Sequence, residues 1–107
     1  MSKKILNMTP HPVNIIDEEN KVILSIQPTG LVRLKAITVK KDSINGIPTS
    51  STEFGQPDGL PDFSFGTFII VSQLVKSALP QRTDLLVPAE VVRDKEGNII
   101  GCRSLGR

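Results

Sequence analysis

The sequence predicts an α+β fold that is mostly antiparallel β, with one short helix and a long central loop. Three observations carry that expectation. Two pairs of β-rich runs flank polar turns, at Asp17-Glu18-Glu19-Asn20 and at Asp94-Lys95-Glu96-Gly97, and read as two hairpins with further strands beside them. One stretch alone, Gln73 to Leu79, has helical spacing. Between the hairpins lies a segment, 41–66, in which neither the period of a strand nor that of a helix survives.

In chain order, Val13 and Ile15 alternate with Asn14, and Val22, Leu24 and Ile26 alternate with Ile23 and Ser25. Pro28-Thr29-Gly30 makes the next turn. From Leu31 to Lys40, Val32, Leu34 and Ala36 share one face, and Arg33 and Lys35 share the other. After Ala36 the apolar positions move to Ile37 and Val39, which predicts a bulge or a strand buried on both sides at that end. Segment 41–66 holds four of the eight glycines and three of the eight prolines, hence its reading as a loop. Phe54, Phe63 and Phe65 lie within it and Phe68 follows, so the loop is expected to be functional rather than disordered. Thr67 to Val71 is a strand. Ser72 caps the helix, Leu74, Val75, Ala78 and Leu79 form its apolar side, and Pro80 stops it. Asp84 to Val87 is a strand ended by Pro88. Val91 to Arg93 and Asn98 to Arg103 make the second hairpin, with Gly97 left-handed, and 104–107 fray. A single domain over 1–107, with about seven strands, accounts for the chain.

Composition removes several classes. No apolar run approaches the ~20 residues of a membrane-spanning helix. Met1-Ser2-Lys3-Lys4 leads into a strand-like segment rather than the apolar core of a secretory signal, so a cytoplasmic protein is expected. One cysteine and one histidine supply neither an internal disulfide nor a nitrogen/sulfur zinc site. A net charge of +2 with scattered basic residues argues against nucleic acid as partner. There is no EF-hand, P-loop or dinucleotide fingerprint, and no cofactor or metal is expected.

The candidate residues suit binding better than catalysis. His11, between Pro10 and Pro12, is held extended, and with Asn7, Thr9 and Asn14 it makes a polar cluster near one end of the chain. Phe63 and Phe65 offer stacking faces, and Arg82 and Arg93 offer forks that suit phosphate. Ser72 marks a helix start with free amides. Cys102 reads as a small buried hydrophobe, or alternatively as a nucleophile beside His11. No catalytic residue is assigned. The aromatic-rich loop also favours self-association, with loops from two chains building one pocket.

Three stretches taken together resemble a known group: Leu6-Asn7-Met8-Thr9-Pro10-His11-Pro12-Val13-Asn14-Ile15, Asp84-Leu85-Leu86-Val87-Pro88, and Val92 through Cys102. Phe68 to Val75 fits between them. The set is similar to small proteins encoded by phages, prophages and some bacteria. It covers both ends of the chain and skips the centre. The resemblance implies an anti-defence protein that sequesters a nucleotide-derived immune signal without catalysis in the host cytoplasm; on that reading the long loop is a lid and a homo-oligomer lets two loops build one pocket. Two alternatives stand beside it: a protein-interaction module anchored by the loop phenylalanines, and a small hydrolase using His11.

Overall fold

The computed structural model describes residues 3–107. Met1 and Ser2, the first two of the four residues that lead into the strand-like N-terminal segment, lie outside the described residues. Eight strands and one helix follow in order: β1 (Lys4–Asn7), β2 (Val13–Ile16), β3 (Val22–Ile26), β4 (Arg33–Ile44), β5 (Ile47–Asp58), β6 (Thr67–Ile70), α1 (Gln73–Ala78), β7 (Leu85–Arg93) and β8 (Ile99–Gly106). The α+β class holds: the chain is mostly strand with one short helix.

Six strands form a mixed sheet in the order β1-β6-β7-β8-β2-β3. The expected hairpins are its two antiparallel pairs, β2–β3 and β7–β8. Parallel pairs link the rest, β1 with β6, β6 with β7, and β2 with β8 through Ile15 and Cys102. The two edges of the sheet meet at one point, where Asn7 at the end of β1 bridges Pro28 just after β3. The sheet therefore curls until its edges touch at one end.

Alternation along β6 and β7 sends neighbouring side chains to opposite faces. Ile69, Val71 and Leu85 join Val32 and Val75 in one core cluster, with Met8, Leu34, Leu60 and Leu79 against it. Ile70 and Leu86 join Val13 and Cys102 in the other, with Ile15, Ile26, Phe68 and Leu105 around it. The helix packs through Val75 and is capped as expected, Val75 N–H donating to Ser72 Oγ at 3.3 Å. Leu74, expected on the apolar side, is exposed.

The central loop is corrected. Its first two thirds are strand: β4 and β5, 12 residues each, pair as a separate two-stranded ribbon. The turn between them is Asn45-Gly46, both at positive φ (48° and 78°), the conformation a tight hairpin turn requires. Ile44 and Ile47 face each other across it. Only 59–66 remains loop. A register shift lies between Leu34 and Ala36, just before the position expected for a bulge, and that end of the strand is not buried on either side.

No residue of β4 or β5 is buried, and Leu34 at the base is what joins the ribbon to the core. The ribbon is an arm. The molecule measures 54 × 39 × 19 Å, and its radius of gyration is 17.2 Å, against about 13 Å for a compact chain of this length.

Two smaller corrections concern the C-terminal strands. Pro88 does not end its strand: β7 runs through it to Arg93, and β8 continues to Gly106 where fraying was expected. Pairing explains both. Val87, Pro88 and Ala89 lie opposite Gly106, Leu105 and Ser104, so the two extensions hold each other.

Candidate functional site

A cleft of about 310 Å³ opens between the 8–12 connection, the β6–α1 junction and the β7–β8 hairpin. Val71, Val91, Ile99 and Cys102 wall it; Thr9, His11, Asn14 and Ser72 bring polar groups to it. Four of the sequence-predicted residues thus meet in one place. The β2–β8 pairing brings this about. It sets the start of β2 beside Gly101 and Cys102, a junction so close that a Cβ at Gly101 would lie 2.8 Å from the Asn14 carbonyl oxygen.

Asn7 does not reach the cleft but sets its rim. Its side chain is fully buried. Nδ2 donates to the carbonyls of His11 and Ile26, each at 2.9 Å. Oδ1 accepts from the Thr9 backbone N–H at 3.0 Å, and the Thr9 hydroxyl lies 2.6 Å from the same oxygen. One amide thus fixes the Thr9–His11 turn and fastens it to the end of β3. A buried side chain with all its polar groups paired is a specific constraint rather than a defect.

Asn14, half-buried, accepts from Ser25 Oγ at 2.7 Å through Oδ1, and its Nδ2 has no protein partner among the described residues. Asn14 also lines the cleft. The His11 ring is exposed at the mouth. Cys102 is 2% exposed, and its Sγ lies 3.7 Å from the Asn14 carbonyl oxygen. Burial pushes the Cys102 thiol above its ordinary value, opposed more weakly by the backbone at Ala89 and Ser104. A thiolate nucleophile needs the opposite shift.

The remaining predicted residues lie elsewhere. The Arg82 fork is spent on Asp84: Nε donates to Oδ1 at 2.9 Å and Nη2 to Oδ2 at 2.8 Å, while Nη2 also donates to the Pro61 carbonyl at 3.0 Å. Asp84 is 2% exposed, and the hydrogen bonds from Arg82 hold its carboxyl below the usual carboxylate range. The same contact raises the Arg82 guanidinium. Arg93 donates to the Gly97 carbonyl at 2.8 Å and closes its own hairpin turn. Phe63 and Phe65 line a second hollow of about 210 Å³ with Phe68, Lys3 and Arg107, apart from His11 and Asn14. There Lys3 Nζ stands 5.7 Å and Arg107 Cζ 5.4 Å from the Phe68 ring centre. Ser72 is occupied as a cap, and its helix has only six residues.

Val91 and Ile99, which wall the cleft, carried no signal in the sequence beyond strand propensity. Only the pairing of β8 with β2 places them there. Among the described residues, no group of His, Cys, Asp and Glu could hold a metal ion, and no helix is long and apolar enough to cross a membrane. The chain matches no protein-family model, no curated protein and no solved structure.

Proposed function

We propose that this protein binds a nucleotide-derived signalling molecule in the β2–β8 cleft and holds it without turning it over. The observation that carries the reading is the make-up of the cleft. Apolar walls meet a rim of Thr9, His11 and Asn14 in a volume of about 310 Å³, at the small end of ligand pockets and of the scale of a nucleoside. A flat base suits the apolar lining, in which Val91 and Ile99 are exposed members. The Asn14 amide and the Thr9–His11 turn suit its polar edge or a ribose. With Arg82 and Arg93 engaged elsewhere, the phosphates are left at the open mouth, where His11 stands. The raised Cys102 thiol favours holding over covalent chemistry. The link to a host immune signal, and with it sequestration in the host cytoplasm, rests on the resemblance of the two chain ends to small phage proteins.

The test pairs calorimetric titration of nucleosides and nucleotides with mass spectrometry of molecules released by heating. An intact nucleotide should be recovered. Val91→Trp, which fills the cleft from its half-exposed wall, should weaken binding at least about tenfold while leaving the unfolding midpoint in place. Unchanged binding by that variant would put the ligand outside the cleft, and release of nucleotide fragments would replace holding with hydrolysis, His11 then being the first residue to change.

One observation favours a second reading. Phe65 is 88% exposed beside the half-exposed Phe63, the arrangement of an anchor for a protein partner. On that reading Phe65→Ser abolishes partner capture and leaves nucleotide binding intact.

A further inference from the structure

Glu90 has a backbone of the kind glycine usually supplies. It lies inside β7, exposed, with φ at 51°. A residue with a Cβ enters that region at a cost, and one that is neither Asn nor Asp does so rarely. Alternation shows what the conformation does. Residues an even number apart along a strand share a face, and residues directly opposite on paired strands share it too. Leu85 belongs to one core cluster and Leu86 to the other. Val87 and Ala89 follow Leu85, and Gly106 and Ser104 lie opposite them; a Cβ at Gly106 would lie 3.3 Å from Val87 Cγ2 and 3.6 Å from Ala89 Cβ. Unbroken alternation would put the next pair, Val91 and Cys102, on that same face. Instead Cys102 packs with Leu86, and so does Leu105, three residues further along β8. Val91 lines the cleft together with Pro88, three residues before it on β7. The two strands change face together, with no register shift between the Ala89–Ser104 and Val91–Cys102 pairs. No inserted residue causes the change. Glu90 is the residue of β7 that lies at it, and its φ is the irregularity.

We infer that Glu90 is a positioning residue for the cleft: its left-handed backbone turns over the outer half of the β7–β8 hairpin, so that Val91 and Cys102 join Pro88 and Val13 as cleft lining. The pairing with β2 needs that turn. Ile15 lies opposite Cys102 and packs on the same cluster. Gly101 then takes the other face, where a Cβ would lie 2.8 Å from both the Asn14 carbonyl oxygen and Ile16 Cγ2. One hairpin thus fits β6 at one end and β2 at the other. Strain held in a sparsely populated backbone region is typical of residues that shape a site, and the surrounding pairs hold it in place. Glu90 acts through Val91 and Cys102 rather than by touching a ligand. Its meaning for binding rests on the cleft reading proposed above, whereas the change of face is a property of the chain alone.

The test reads the face through the reactivity of the buried Cys102 thiol toward a disulfide reagent. Glu90→Gly adopts the left-handed backbone freely, so it should raise the denaturation midpoint and leave Cys102 as slow to react as in the wild type. Glu90→Val has a branched Cβ that resists this backbone. It should label Cys102 at least about tenfold faster than Val75→Ala does when denaturant sets both to the same unfolded fraction. Val75 lies in the other cluster and corrects for labelling through global unfolding. Two further variants decide the matter even where Glu90→Val does not fold. Glu90→Asn, which tolerates the left-handed region, should raise the midpoint, and Glu90→Gln, which keeps the size and removes the charge, should not. A Glu90→Gly midpoint at or below that of the wild type, or a Glu90→Gln midpoint raised as far as that of Glu90→Asn, overturns the inference. Affinity for adenosine monophosphate, the probe for the cleft, should be kept in Glu90→Gly and fall at least about tenfold in Glu90→Val. Fast labelling of Cys102 in Glu90→Val with unchanged nucleotide affinity supports the change of face and overturns the cleft reading instead.

Discussion

The six-stranded body and the arm are built from the same local chemistry and are stabilised by different things. In the body, β6 and β7 lie between two apolar clusters, and Ile69, Ile70, Val71 and Leu85 are almost wholly withdrawn from water. Each such side chain stabilises the fold by about 1.5–3 kcal/mol relative to exposure. In the arm, β4 and β5 have more residues than any strand of the body, yet their stability comes from the ladder, the Asn45-Gly46 turn and pairs such as Arg33 opposite Asp58. Length and regular pairing therefore do not measure stability. Burial does, and no residue of the arm has it.

Equivalent cuts in the two regions give the largest contrast. Ile70→Ala should cost about 2–5 kcal/mol in chemical denaturation, whereas Ile44→Ala should change the stability of the isolated chain by less than about 0.5 kcal/mol. A comparable loss at Ile44 would mean that the arm packs on its own body.

The next effect sharpens how the body is held beneath the arm's base. Arg82→Ala strands the Asp84 carboxylate in the interior and should cost about 3 kcal/mol. The pair also sets an acid limit. Because Asp84 titrates lower in the folded chain than in the unfolded one, its contribution is complete above about pH 4 and fades as pH falls through the folded value. Stability measured against pH should fall in that window for the wild type and stay nearly level for Asp84→Asn, which is weaker throughout.

Asn7→Ala is expected next in size, about 2 kcal/mol, because the carbonyls of His11 and Ile26 lose their shared donor. It should also weaken ligand binding, since the Thr9–His11 turn is no longer fixed. Asn7→Ala with full affinity would show that the rim is set by the two prolines alone.

The smallest effect is kinetic. Trypsin should cut at Lys40 and Lys41 while the body survives, because no residue of the arm is buried. Cutting at Arg103, in the body, at a comparable rate would break the contrast.

What was legible in the sequence follows the same division. The two hairpins of the body are readable because one face of each strand is buried, and burial imposes alternation on the residues. The arm has no buried face, so nothing in 41–58 alternates, and the glycines and prolines there read as loop. The Asn45-Gly46 dipeptide is the local signal of the hairpin turn, and without apolar alternation on either side the strands that it joins do not show. The polar cluster Thr9, His11 and Asn14 was readable because it is local. Its walls were not, because Ile15 meets Cys102 by a parallel pairing, and no short-range pattern encodes which distant strand becomes a neighbour. Arg82 was misplaced for a different reason: a buried partner two residues away, Asp84, cannot be told from a solvated acid by sequence alone.

The β2–β8 junction has a consequence in time. During synthesis at about 5–20 residues per second, β2 leaves the ribosome roughly 4–17 s before the strand it must lie beside. The β2–β3 hairpin and the arm can form early, since their contacts are local, and both wait with apolar edges open to the surroundings. The cleft is the last part of the molecule to come into being. A nascent chain therefore passes through an interval in which it can stick to its neighbours before it can hold a ligand, and crowded expression at high temperature, which favours such contacts, should lower yield before it lowers the quality of the protein that survives.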